Sequence, residues 1–315
     1  MEYLNHGSSD KTSDHMISDP RIESPREAGE PHEAMILVLP YLPVSERLAM
    51  AAASKSLRQA VSEDILVWFS VVFTEPSNVR VTDEILSNIA SKANGRMTTL
   101  AIENCYRVTD LGLARVVETN PFLRELHLSG CSGLTPDGII HAVKTLTSHQ
   151  NLLRSLRING VYSLRKQHLE TLSQCLQISK RKPMFYHQRF KSSSLPSPDY
   201  QMEIEGFIDV ETCPKCAEVR LVFDCPRQSC IEEHKTCRGC EFCIVRCNEC
   251  GMCVNYSREL PEATACEDSV CSDCWLNLPK CCLCNLPYCT RHAALKGVSY
   301  LQPFVCESCV FESSL

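Results

Sequence analysis

CRGCEFCIVRCNECGMC, residues 237–253, carries Cys237, Cys240, Cys243, Cys247, Cys250 and Cys253 in one short run. A Cys-x2-Cys turn sets two thiolates on one side of a tight loop, at the separation a tetrahedral zinc takes. Outward from this run the knuckles continue as Cys213/Cys216, Cys271/Cys274, Cys281/Cys284, Cys289-x2-His292 and Cys306/Cys309, with Cys225 and Cys230 between the first two. Nineteen of the 22 cysteines fall between Cys213 and Cys309.

Such density means either disulfides or metal, and the compartment decides. The chain begins MEYLNHGSSDKTSDHMISDP, which is polar and lacks the apolar run of a secretory leader. Nor does any stretch reach the roughly 20 apolar residues of a membrane helix. The expectation is a protein of the nucleus and/or cytoplasm with reduced thiols and zinc as its cofactor, and no membrane partner. Residues 207–315 then form a zinc-stabilised module with a small core.

Four knuckles in series can share two zincs in a cross-brace, first with third and second with fourth. That places Cys271, Cys274, Cys289 and His292 on one ion, and Cys281, Cys284, Cys306 and Cys309 on another, like RING and PHD fingers. Upstream, Cys213, Cys216, Cys237 and Cys240 would hold one zinc and Cys225, Cys230, Cys247 and Cys250 a second. His234, Cys243, Cys253 and Cys266 could make a third site, with Cys282 left over; overlapping runs allow other registers.

Charge bears on partners. The chain has net charge −6, and from Phe207 to Leu315 there are 15 acidic residues against 10 basic ones. Each zinc held by four thiolates adds about −2. A module that grips phosphates is basic, so this one is expected to bind protein and not nucleic acid. No Ser/His/Asp order, phosphate-cradling glycine loop or spaced carboxylate pair is present, and four-ligand zinc sites lack the open position catalysis needs. The chain reads as a non-enzyme.

Residues 1–29 are polar and expected to be disordered. From Glu30 the pattern turns helical and apolar: Met35, Ile36, Val38, Leu39 and Leu42 form one stripe, Leu48, Ala51 and Ala52 a second after Ser45, and Leu57, Val61, Ile65 and Trp68 continue it. PHEAMILVLPYLPVSERLAMAAASKSLRQAVSEDILVW, Pro31 to Trp68, resembles an F-box in the order of Pro31, Glu33, Leu39, Leu42, Leu48, Ser54, Lys55 and Trp68. It departs at Glu30, where the family has Leu, and at Leu57, where Trp is frequent. The resemblance implies a helical F-box over 30–76 that binds a Skp-type adaptor, and through it a cullin, with Pro31, Leu39, Leu42, Leu48 and Trp68 in or beside the adaptor face.

Residues 77–179 hold an internal repeat. Leu100-x-Ile102-x-x-Cys105 recurs as Leu126-x-Leu128-x-x-Cys131, and a third unit runs Leu153-x-x-Leu156-x-Ile158-x-x-Val161. Each leads into a short amphipathic segment, the pattern of cysteine-type leucine-rich repeats. Cys105 and Cys131 are therefore expected in the core. Residues 180–206 read as a flexible basic linker.

The fold class is thus α/β and multidomain: a helical F-box, a short leucine-rich-repeat solenoid and a zinc module. The order resembles plant F-box proteins of the Skp-interacting-partner group. That implies a substrate-recognition subunit of a Skp–cullin–F-box ubiquitin ligase, acting by proximity on an unknown protein substrate. Two other readings are a RING-like ligase using the Cys271–Cys309 fingers, and a nuclear zinc-finger protein that reads chromatin.

Overall fold

Three helices open the fold: α1 (Glu33–Val38), α2 (Val44–Ala53) and α3 (Lys55–Glu63). The computed structural model describes residues 33–148, 153–178, 207–232, 237–254, 262–298 and 303–312. Pro31, His234, residues 1–29 and the stretch 180–206 lie outside the described residues. Pro40 sits early in a 3-10 turn, Leu39–Tyr41, that ends the first helical run. Ser54, extended at φ −145°, separates α2 from α3. Asp64 caps a second 3-10 turn, Ile65–Trp68, by accepting the Leu66 N–H at 2.9 Å.

Two side chains tie these pieces together. Arg47 is buried, and its guanidinium donates to the carbonyls of Leu42 (2.7 Å), Val67 (2.5 Å) and Pro40 (3.0 Å). Trp68 donates its indole N–H to the Val61 carbonyl at 2.8 Å, and Arg47 and Lys92 lie 5.8 and 5.4 Å from the centre of its ring. Leu57 is buried and fills the core where the family frequently has a Trp.

Beyond Trp68 the chain alternates strand and helix. Strands β1 (Ser70–Val72), β2 (Thr99–Ala101), β3 (Glu125–His127), β4 (Ser155–Arg157) and β5 (Phe207–Ile208) form one parallel sheet in sequence order. The register stacks like on like: Val71, Leu100, Leu126, Leu156 and Ile208 are successive partners. Helices α4 (Asp83–Ser91), α5 (Asp110–Thr119), α6 (Pro136–Ser148) and α7 (Lys166–Cys175) pack each against the next. The repeat residues Leu100, Ile102, Cys105, Leu126, Leu128, Cys131, Leu156 and Ile158 are all buried. Cys131 donates its thiol to the Ile102 carbonyl of the preceding unit at 2.7 Å. Burial pushes the Cys105 thiol up to about 12 and the Cys131 thiol up to about 11, as for apolar core residues.

The turns between units are clamped by carboxylates. Asp83 accepts the Thr109 N–H (2.8 Å) and hydroxyl (2.6 Å), and Asp110 does the same for Thr135 (2.9 and 2.6 Å). The clamps need glycine beneath them, since a Cβ at Gly112 or Gly138 would lie 2.1 Å from the carboxylate above.

Strand β1 belongs to the stretch read as 30–76, and β5 to the stretch read as 207–315. Both enter the repeat sheet, so one hydrophobic core runs from Leu39 to Val210. Within the repeats, the N–H groups after each strand donate to the next unit: Leu128 to Arg157 and Gly130 to Asn159, at 2.7 and 2.8 Å. At the last unit the buried carboxylate of Asp209 substitutes, accepting from Ile158 (2.8 Å) and Asn159 (3.2 Å).

The cysteine-rich part has only small cores, built largely from cysteines with single residues such as Val222, Val254, Val270, Leu278 and Tyr288. Beyond β5, its regular structure among the described residues is the hairpin β6 (Glu211–Thr212) with β7 (Val219–Arg220), isolated bridges and four short helices. Among the described residues no helix is long and apolar enough to cross a membrane.

Candidate metal centres and an exposed apolar face

Every cysteine is a free thiol, yet the thiols converge in groups of four. Cys213, Cys216, Cys240 and Cys243 form one; Cys225, Cys230, Cys237 and Cys253 a second; Cys247, Cys250, Cys271 and Cys274 a third; Cys281, Cys284, Cys306 and Cys309 a fourth. Within each group the ligand atoms lie within 4.8 Å of one another. Zinc–sulfur bonds of about 2.3 Å at tetrahedral angles put neighbouring sulfurs about 3.8 Å apart, whereas a disulfide needs about 2.05 Å. Cys216–Cys240, Cys230–Cys253 and Cys250–Cys271 are each 3.8 Å apart, and Cys284–Cys306 is 3.6 Å. The donor sets fit a tetrahedral thiolate-binding ion such as zinc.

The expected pairings change in four of the five groups. The first group takes Cys243 in place of Cys237, because a tight turn from Cys240 brings Cys243 back, its N–H donating to the Cys240 carbonyl at 3.1 Å. Cys237 joins Cys225 and Cys230, and the antiparallel bridge between Arg246 and Cys253 delivers the fourth thiol. Cys247 and Cys250 therefore pair with Cys271 and Cys274, not with Cys225 and Cys230. Cys289 and His292 lie with Cys266 and Asp268, away from Cys271 and Cys274. Cys281, Cys284, Cys306 and Cys309 lie together in the cross-braced pairing. Cys282 is exposed and belongs to none of these groups. The halves of successive groups alternate along the chain, so each centre straddles part of its neighbour.

Backbone N–H groups prepare the first sulfur of each group. Cys213 accepts from Lys215 and Cys240 at 3.4 Å, Cys225 from Cys253 at 3.3 Å, and Cys281 from Leu283 at 3.4 Å and Cys306 at 3.3 Å. Burial pushes the Cys213 and Cys281 thiols up, but these donors together outweigh it and bring both down to about 6. For Cys247 the Cys250 thiol is the main donor, and with the backbone it holds the group at about 4 against burial; Cys253 does the same for Cys225. One thiol in each group is thus set to ionise first, while burial and the neighbouring sulfurs hold partners up, Cys230 to about 11 and Cys274 to about 12.

Charge is offset from within. Arg246 is 3% exposed and donates to the carbonyls of Phe223 (2.8 Å) and Cys237. Its Nε and Nη1 have no hydrogen-bond partner among the described residues. It adjoins Cys247 in sequence and bridges to Cys253. Its positive charge is therefore set between the second and third groups, each about −2 when it holds zinc.

A different surface occupies the first helices. Leu39 and Trp68 are buried and Leu42 packs partly against the same core, so of the described residues expected in the adaptor face only Leu48 is well exposed. The apolar face toward solvent is instead Met35, Leu37, Val38, Tyr41, Leu48 and Leu66, with Leu37 73% and Tyr41 85% exposed. Leu39 and Trp68 belong to the hydrophobic core. MILVLPYL is apolar on every side, and periodicity alone does not say which side meets the core.

A family model described as the At3g27290 F-box protein C-terminal domain matches residues 209–283, a span holding the first three cysteine groups entire. The chain is 38% identical over 291 residues to the F-box protein SKIP28 of Arabidopsis thaliana, covering 90% of this chain and 91% of that one. It is 31% identical over 273 residues to F-box protein SKIP14 of the same plant, covering 84% of this chain and 58% of the relative. With F-box protein At3g27290, also from Arabidopsis thaliana, it shares 34% identity over 256 residues, or 77% of this chain and 65% of the relative. Likeness at this level across nine-tenths of its length places the protein in the family of plant F-box proteins of the Skp-interacting-partner group.

Proposed function

We propose that this protein is the substrate-recognition subunit of an SCF-type ubiquitin ligase, working in the nucleus or cytoplasm without catalysis of its own. The apolar face of Met35, Leu37, Val38, Tyr41, Leu48 and Leu66 carries this reading. These side chains are exposed on neighbouring helical elements whose Leu39, Val44, Leu57 and Val61 are already packed in the core, and exposed apolar side chains in such number point to an interaction site. Helices 30–76 dock on a Skp-type adaptor and, through it, a cullin. The β–α units are a short leucine-rich-repeat solenoid on the same core. The four all-cysteine groups each hold a structural zinc, which crosslinks loops too poor in apolar residues to fold alone. Repeats and zinc module together present a protein target, and the ligase raises the effective concentration of that target near the ubiquitin-loaded enzyme.

The test is capture of the full chain by an immobilised Skp-type adaptor. Leu37→Asp and Tyr41→Asp change exposed positions, so folding is preserved. An interface hot spot is worth about 2 kcal/mol or more, so either variant should weaken capture by about 30-fold. Undiminished capture of both variants, with wild-type melting curves, would remove this face as the docking site.

A further inference from the structure

A group of side chains outside the four all-cysteine centres converges in the same manner. Cys266, Asp268, Cys289 and His292 place one sulfur or nitrogen or oxygen each within 4.8 Å of one another. Asp268 Oδ2 lies 3.0 Å from Cys289 Sγ, 3.0 Å from His292 Nδ1 and 3.9 Å from Cys266 Sγ, and Cys289 Sγ lies 3.2 Å from His292 Nδ1. These separations bracket the edges of roughly 3.3–3.8 Å in a tetrahedron of mixed sulfur, nitrogen and oxygen ligands around zinc.

Two chemistries use Cys, His and Asp together: nucleophilic catalysis and metal binding. A catalytic relay needs the thiol at one imidazole nitrogen and the carboxylate at the other. Here Cys289 and Asp268 both meet Nδ1. The donors converge on one point and do not line up in a chain, which is the geometry of a metal site.

The backbone points the same way. Cys289 N–H donates to Cys266 Sγ at 3.4 Å. In the first, second and fourth all-cysteine groups the third or fourth ligand's N–H meets the first ligand's sulfur: Cys240 to Cys213, Cys253 to Cys225 and Cys306 to Cys281. The mixed group is built on the same plan, with Asp268 where a second cysteine stands elsewhere. Its second half is anchored independently, since Glu249, between Cys247 and Cys250 of the third group, accepts the N–H and hydroxyl of Thr290 at 2.7 Å each. That contact fixes the start of the helix Thr290–Leu295, which carries His292.

We propose that Cys266, Asp268, Cys289 and His292 form a fifth zinc site, of S2NO donor type, interleaved with the third and fourth all-cysteine centres. The proposal rests on reading those all-cysteine groups as zinc sites. With two thiolates, one carboxylate and a neutral imidazole the loaded site is about −1, against about −2 for its neighbours, and its oxygen ligand is harder than sulfur. It is therefore the site that releases metal first.

Native mass spectrometry of the full reduced chain should count five zinc ions, and four in Asp268→Ala. Asp268→Cys should keep five, which separates loss of a ligand from loss of the fold. With a colorimetric chelator in excess, the wild-type chain should release one equivalent in a fast phase that is absent from Asp268→Ala and slowed at least tenfold in Asp268→Cys. A wild-type count of four, or a count of five in Asp268→Ala, overturns the fifth site and leaves the other four standing. A count of zero in wild type overturns the zinc reading as a whole.

Discussion

Gly138 is the third residue of α6, and Ala is the better helix former there by up to about 1 kcal/mol. Propensity alone therefore predicts that Gly138→Ala stabilises the protein. The packing predicts the reverse. A Cβ at 138 would lie 2.1 Å from both Cγ and Oδ1 of Asp110, well inside contact distance. The carboxylate can swing away, but it then abandons the N–H and hydroxyl of Thr135. Both bonds are solvent-exposed, so about 1 kcal/mol each is a fair value, about 2 kcal/mol together. The clash wins, and Gly138→Ala should destabilise by about 1–1.5 kcal/mol. In an Asp110→Ala background nothing remains to clash with, and the same substitution should stabilise by up to about 1 kcal/mol. The sign reversal implies a coupling energy of about 2 kcal/mol in a double-mutant cycle. Urea unfolding followed by Trp68 fluorescence measures it cleanly in a Trp275→Phe chain, because the protein has two tryptophans and Trp68 sits in the shared core. Equal effects of Gly138→Ala in both backgrounds, or stabilisation in the native one, would refute the clamp.

Asp209→Ala removes the acceptor of the Ile158 and Asn159 N–H groups in a buried setting, which should cost about 3 kcal/mol and speed amide exchange at those two residues, read by hydrogen exchange. Burial, reinforced by Arg157, holds the His127 imidazole down at about 3, so it stays neutral in the fold and takes up a proton on unfolding below about 6.5. The stability this lends is complete above that pH and lost as pH falls from 6.5 toward 3; by pH 5 about 2 kcal/mol is gone, and His127→Gln should flatten that limb of the stability–pH curve. If the second and third groups hold zinc, each is about −2, and Arg246→Met removes their buried positive neighbour, so zinc retention against a competing chelator should drop by about 10–100-fold.

The repeat units were readable because the Leu-x-Leu-x-x-Cys period states both the strand and the inward face at once; Leu100, Leu126 and Leu156 occupy one register. The strands that seal the sheet were not. Ser70–Val72 and Phe207–Ile208 are three and two residues long and carry no repeat signature. Which cysteines form knuckles is a local matter of turn geometry and shows in spacing. Which knuckle meets which is settled by bridges between separate segments, Phe223 with Gly239 and Arg246 with Cys253, and the candidate partners are chemically equivalent. Asp268 escaped notice because Cys-x-Asp is no knuckle and an aspartate in a loop is ordinary. On the first helices, sequence resemblance singled out Leu39 and Trp68, which are buried; the residues that meet solvent, Leu37 and Tyr41, flank Leu39 in a run apolar throughout.

The strand and carboxylate that close the last repeat come from about 50 residues further along the chain than the groups they satisfy. Covalent continuity and structural continuity therefore part company at that point. A single cut between residues 179 and 206 would separate the backbone into two polypeptides without releasing either, because β5, Asp209, Ile208 and Val210 remain seated in the core of the first fragment. The halves would travel as one particle in native gel filtration and resolve only in denaturant. Expressed apart, they should find each other as a split protein does, with the two-residue strand and its aspartate as the clasp.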